Sequence, residues 1–263
     1  MASRPPEIAA AFLALVETVT RLRRDCPWDR EQTSKSIMPS LIEETYEVLE
    51  ALEAESPEDV QGELGDLLLQ ILLHAEMASE RGEFDVRDVI EAVRTKMVRR
   101  HPHVFGDLTV AGTPEVLDNW SRIKAEERRA ARKDASPLAG IPAALPGLLR
   151  AERLGEKASR VGFDWAEPSG ALGKVREEII ELEQALASGA TAEIESEVGD
   201  CLFALASLAR KAGISAELAL KRTLDRFVSR FRHVETELER QGRSPREATL
   251  DELEALWQEA KRR

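Results

Sequence analysis

The stretch EETYEVLEALEAESPEDVQGELGDLLLQ, residues 43–70, decides the fold. It reads as two helices and the turn that joins them. Leu41, Val48, Leu49 and Leu52 keep a helical spacing before the break, and Val60, Leu64, Leu67, Leu68, Ile71 and Leu72 resume it afterwards. At the break, Ser56 is a good helix cap and Pro57 has the backbone angle that a first helical turn needs. Neither half alternates polar and apolar residues with a period of two, so no strand is expected.

The same period extends in both directions. Ile8, Phe12, Leu15, Val16, Val19 and Leu22 predict a helix after Pro5-Pro6, and Val86, Val89, Ile90, Val93 and Met97 predict another. A fifth helix is expected from Pro114 to about Lys133, capped by Thr113 and strongly charged in its later half. The segment Asp134–Gly147, with Pro137, Gly140, Pro142 and Pro146, reads as a linker, after which the helical pattern restarts. The class is all-α. The expected division is a first module over 1–110, a connecting helix and linker over 111–147, and a second module over 148–263.

The restart is a repeat. Glu43, Glu44, Glu47, Glu63 and Asp66 reappear as Glu177, Glu178, Glu181, Glu197 and Asp200, at a constant offset (177 − 43 = 200 − 66 = 134), and Gly65 reappears as Gly199. Lys96, Arg100 and His103-Val104 recur as Arg226, Arg230 and His233-Val234 at an offset of 226 − 96 = 130. An internal duplication of a helical unit explains both series.

Residues three and four apart share a helix face, so the EExxE and ExxD acids of one copy can converge when their helices pack together. Converging carboxylates repel, and a divalent cation relieves that repulsion. The donors are all oxygens, which favours Mg²⁺, with Mn²⁺ as the alternative. A single ExxE is more often a solvated face; two copies in register favour a site. The paired cations Lys96/Arg100 and Arg226/Arg230 are placed to receive phosphates, against the plainer reading as ion pairs. Trp28 in CPWD (26–29) and Trp165 in GFDW (162–165) precede the acidic helices, and Trp257 lies four residues before Lys261. Each can stack on a base or simply pack, and Asp29 and Asp164 can cap the segments after them.

A net charge of −12 argues against a nucleic-acid partner held by general attraction. Cys26 and Cys201 form no disulfide or zinc pattern. No apolar run spans a membrane and no leader is evident, so a reduced, cytoplasmic protein is expected.

These motifs resemble the MazG family of nucleotide pyrophosphohydrolases in its two-copy form. CPWDREQT (26–33), EETYEVLEAL (43–52), GELGDLLLQ (62–70) and RRHPHVFGD (99–107) resemble its first half. NWSRIKAEER (119–128), RVGFDW (160–165), KVREEIIEL (174–182), GDCLFA (199–204) and FVSRFRHVE (227–235) resemble its second. The resemblance implies a four-helix-bundle-like core completed in a homodimer. It also implies hydrolysis of ribo- and deoxyribonucleoside triphosphates of several bases to monophosphate and pyrophosphate. The second copy is then the expected catalyst. Glu177, Glu178, Glu181, Glu197 and Asp200 would be its metal set, with Glu178 or Glu181 as general base. Arg226, Arg230, Trp257, Lys261 and Trp165 would contact the substrate. Arg226 departs from the family's usual lysine. In the first copy the corresponding residues are Glu43, Glu44, Glu47, Glu63 and Asp66, with Lys96, Arg100 and Trp28; its activity is left open.

Other readings are weaker. A Nudix signature lacks its glycine and its final EExG around REEIIELE (176–183). No histidine follows a glutamate by three, which removes a di-iron bundle site, and no His-Asp dipeptide exists for an HD-type metal pair. The alternative from another class is a non-catalytic helical dimerisation or regulatory protein that binds nucleotide or a partner.

Overall fold

The structure, a computed structural model, describes residues 5–130 and 136–262. Among them there are twelve α-helices and no strand. The chain separates into two compact units, Met1–Glu126 and Glu127–Arg263.

In the first unit, α1 (Pro5–Asp25) and the short α2 (Pro27–Glu31) lead into α3 (Met38–Glu53) and α4 (Pro57–Glu80). Then come α5 (Val86–Arg100), α6 (Pro102–Phe105) and α7 (Thr113–Ala130), whose last residues pass the unit boundary at Glu126. Ser56 caps α4 as expected, its Oγ accepting from the Asp59 amide at 3.4 Å, and Asp85 and Asp88 form a reciprocal capping box on α5. Thr113 lies in the first turn of α7, not ahead of it, and residues 131–135, where the predicted helix end and linker start fall, lie outside the described residues. Val19, Ile37, Leu72, Leu73 and Met77 form the core, ringed by Phe12, Leu15, Val16, Leu68, Leu69 and Val86. Arg23 is buried beside it. Its guanidinium donates to Glu80 at 2.8 and 2.7 Å and to the carbonyls of Asp29 and Gln32, which fastens the α2 segment to α1 and α4.

In the second unit, α8 (Gly147–Ser159) precedes the paired α9 (Pro168–Ser188) and α10 (Thr191–Lys211). They are followed by α11 (Ala216–Arg240), a 3-10 turn (Pro245–Glu247) and α12 (Leu250–Arg262). Ala171, Ala185, Ala204 and Ala206 are all buried on α9 and α10, and such small side chains let the two backbones approach closely. Val175 of α9 and Val234 and Leu238 of α11 are buried with them.

Both helix hairpins turn at equivalent positions. Gly189 ends α9 with φ 72°, and Glu55, 134 residues earlier, has φ 53°. A left-handed residue is needed to close the turn, and glycine adopts it without the Cβ clash. Gly189→Ala is therefore expected to cost about 1 kcal/mol of stability in urea unfolding. Glu55→Gly should gain a few tenths of a kcal/mol at most, because the added freedom of the unfolded chain offsets most of the relief.

Candidate metal and phosphate sites

Each unit gathers carboxylates across its hairpin. Glu44 and Glu47 of α3 meet Glu63 of α4, with ligand atoms within 4.8 Å of one another. Glu178 of α9 meets Glu197 and Asp200 of α10 within the same limit. Glu44 and Glu178 are equivalent, as are Glu63 and Glu197 (178 − 44 = 197 − 63 = 134). The fourth member of each set acts through its field. Burial, then Asp66 and Glu47, hold the Glu44 carboxyl above the usual carboxylate range. Glu63 is likewise raised by burial, then by Glu47 and Asp66. Glu181 is raised by burial and then by Glu178. The Cys201 thiol is pushed up by burial and by Glu178, Glu197 and Asp200.

Glu43 and Glu177 do not join these clusters. Each is exposed, and one step along a helix turns a side chain by about 100° away from its neighbour. Glu177 instead meets Lys174, whose Nζ lies 2.7 Å from both Glu177 and the buried Glu178. Those two hydrogen bonds raise the Lys174 pKa, so it stays charged. Sequence reasoning passed over Lys174; its spacing of three and four before Glu177 and Glu178 was the available signal. The equivalent position in the first copy (174 − 134 = 40) is Ser40.

The donor chemistry fits a hard divalent cation. Every ligand atom of these two clusters is a carboxylate oxygen, and Oε2 of Glu197 is buried with no hydrogen-bond partner among the described residues. A buried orphan acceptor of this kind is matched by a cation.

The raised carboxyls set a pH dependence. A carboxyl whose folded-state pKa exceeds its unfolded value keeps its proton longer in the native protein. Its contribution is favourable below the ordinary value near 4.5 and is lost as pH rises through the raised value. In chelator, the melting temperature should therefore fall as pH rises above that ordinary value, and Glu44→Gln should flatten this slope. Carboxyls held low by cations, such as Glu80 beside Arg23 and Asp164 beside Arg210, act in the opposite sense, and only below the ordinary range. Thermal melts of both proteins across pH 4–7 check this.

The basic residues form a separate feature. Arg226, Ser229, Arg230 and His233 of α11, with Ala260 and Lys261 of α12, line a pocket of about 340 Å³. The Arg230 guanidinium lies 5.9 Å from the centroid of the Trp257 ring, and that ring packs at 4.9 Å, tilted, on Phe227. His233 stands between Glu237 at 3.8 Å and Glu259 at 3.5 Å, linking α11 to α12. Arg226, Arg230, Trp257 and Lys261 are thus brought together, and no residue of the acidic cluster lines their pocket.

Trp165 and Trp28 sit elsewhere. The Trp165 ring lies against Gly170, where a Cβ would come within 2.8 Å of it. The preceding Asp164 does not cap a helix. It is gripped by Arg210 at 2.7 and 3.2 Å and by Lys211 at 3.2 Å, which fastens the GFDW segment to the end of α10. Trp28 is 61% exposed in α2, and Asp29 lies in that helix's first turn. Lys96 and Arg100 lie half-buried on α5.

Comparison with known proteins adds to this geometry. The model of the MazG nucleotide pyrophosphohydrolase domain matches twice, over residues 32–105 and 167–235. These two segments contain both acidic clusters. The nucleoside triphosphate pyrophosphohydrolase of Escherichia coli K12 is 43% identical over 253 residues, which cover 95% of this chain and 96% of that one. The nucleoside triphosphate pyrophosphohydrolase/pyrophosphatase MazG of Thermotoga maritima is 39% identical over 257 residues, 97% of each.

Proposed function

Since the chain belongs to the MazG family of nucleotide pyrophosphohydrolases, we propose that it hydrolyses nucleoside triphosphates to the monophosphate and pyrophosphate, by attack of water at the α-phosphorus. The observation that carries this is the convergence of Glu178, Glu197 and Asp200, with Glu181 in their field, on one oxygen-only site within a matched segment.

Mg²⁺, or Mn²⁺, held by Glu178, Glu181, Glu197 and Asp200 would supply the positive charge that draws in the triphosphate and acidifies the attacking water. The side chains do the rest. Glu178 or Glu181 takes the proton of that water. Arg226, Arg230 and Lys261 hold phosphate charge, and the Trp257 ring offers a flat apolar face for a base. Base-tolerant stacking of this kind suits several nucleobases and both sugars. The second copy is the proposed catalyst, in a cytoplasmic protein. Among the described residues, no helix is long and apolar enough to cross a membrane.

A homodimer is part of the proposal. Ile179, Ile180, Leu202, Phe203 and Leu205 on α9 and α10 are all exposed, and exposed apolar side chains in this number support an association surface. Covering them with a second copy would complete a four-helix bundle.

The test is pyrophosphate release from a panel of ordinary and modified ribo- and deoxyribonucleoside triphosphates, with and without Mg²⁺. Release of pyrophosphate from several bases supports the reading. Release of orthophosphate alone would overturn the assigned bond. A helical protein with no enzymatic role would release no pyrophosphate from any of them, with or without Mg²⁺.

A further inference from the structure

His233 has no part in the metal and phosphate chemistry, although its side chain is only 13% exposed and forms part of the wall shared with Arg226, Arg230 and Lys261. Its ring presents one nitrogen to each of two carboxylates. Nδ1 lies 3.8 Å from Glu237, on its own helix, and Nε2 lies 3.5 Å from Glu259, on α12. The ligand atoms of these three residues fall within 4.8 Å of one another, but the trio is not a cage for a cation. The carboxylates face different nitrogens of the ring, and Arg240 already holds the same Glu237 oxygen at 2.6 Å. A ring flanked in this way suits the imidazolium form, which donates from both nitrogens.

The contact with Glu259 falls at a telling place on α12. Glu259 lies midway between Trp257 and Lys261, so whatever fixes Glu259 also fixes the ring and the ammonium that complete the pocket. No residue of α12 is buried, and a helix with so little buried surface opens easily unless other contacts tie it down. Arg243 ties its first turn, reaching Glu252 at 3.0 Å through both terminal nitrogens. His233 ties its second half, about two turns further on. The first copy is built differently. Trp120 and Lys124 repeat the Trp257–Lys261 spacing (257 − 120 = 261 − 124 = 137), but Arg122 stands where Glu259 would fall (259 − 137 = 122). The pairing of a histidine with this carboxylate thus belongs to the copy proposed as the catalyst.

We propose that His233 is a positioning residue of the substrate pocket: its contact with Glu259 holds Trp257 and Lys261 of α12 against Arg226 and Arg230 of α11. The proposal rests on the triphosphate reading of that pocket. No residue of the acidic cluster lines the pocket, so loss of the clamp weakens substrate binding and leaves the bond-breaking step nearly untouched. Charge alone gives the opposite expectation for Glu259. Taking a carboxylate away from a phosphate pocket strengthens anion binding, whereas taking away the clamp weakens it.

Glu259→Ala therefore separates the two effects. Its side chain is 41% exposed on a helix, where alanine is well tolerated, and circular dichroism verifies that α12 stays helical. KM and kcat are measured by pyrophosphate release. Affinity is measured by isothermal titration of the full chain with an α,β-methylene nucleoside triphosphate and Mg²⁺, since that analogue cannot be cleaved at the proposed bond. Glu259→Ala and His233→Ala are each expected to raise KM and the dissociation constant of the analogue at least fivefold, with kcat changed less than twofold. The double variant should bind no more weakly than the weaker single variant, because both substitutions remove one contact. Tighter or unchanged binding by Glu259→Ala would overturn the clamp, as would additive losses in the double variant. Analogue binding without pyrophosphate release would overturn the proposed reaction, and the titrations would still decide the clamp. Neither binding nor release by the wild-type chain would overturn both.

Discussion

Glu178→Gln is expected to lower pyrophosphate release by about three orders of magnitude, the scale of a lost general base, while the helices stay folded. Glu178 is the most buried acid of its cluster, at 6% exposure. It is a ligand in the tight group with Glu197 and Asp200, and it raises the pKa of both Glu181 and Cys201. Glutamine keeps the shape and hydrogen-bonding reach of the side chain but removes its charge and its basicity. The cluster then loses cation affinity and a proton acceptor together. Repulsion within the cluster also falls, so the variant should melt no lower than wild type in chelator. Glu43→Gln is the control. That side chain is exposed and outside the cluster, so turnover should change less than twofold. Pyrophosphate release by Glu178→Gln at the wild-type rate would remove Glu178 from the chemistry.

The second large effect concerns the cation. Stripping divalent ions is expected to reduce activity to background, and Mg²⁺ or Mn²⁺ should restore it. Stability should follow. A cation at one hundred times its dissociation constant that binds only the native state stabilises it by about 2.7 kcal/mol. In these clusters it also relieves the mutual repulsion that, after burial, holds Glu44, Glu63 and Glu181 above their ordinary pKa values. A rise in melting temperature on adding Mg²⁺ is the expected result, reduced in Glu178→Gln and again in Glu44→Gln, because each variant empties one cluster. Full activity in chelator would refute a metal-dependent reaction, and melting curves indifferent to Mg²⁺ would refute cation binding by either cluster.

The long helices were legible in the sequence because each carries several turns of a 3.6-residue period. α1, α3, α4 and α5 fall where Leu15, Leu49, Leu68 and Val89 placed them. α2 and α6 were not, since five and four residues are too few to show a period. The acidic clusters were legible as repeats, but their membership was not. Choosing Glu44 over Glu43 depends on how far each helix is rotated about its axis. That rotation is set by packing across the hairpin, and hydrophobic spacing fixes it only to within a face. Lys174 and the Asp164–Arg210 pair were missed for different reasons. The first looked like one more charge on a charged helix. The second joins residues 46 positions apart, a pairing that no local pattern encodes.

Lys174 gives the two halves of the chain different resting states. Its ammonium is tied to the backbone one helical turn from Glu178, so dilution cannot remove it, and its local concentration stays fixed whatever the solution contains. Loading the second cluster with a cation would therefore be an exchange, in which the arriving ion would have to turn a resident lysine aside. At the first cluster, where Ser40 stands instead, it would be a simple addition.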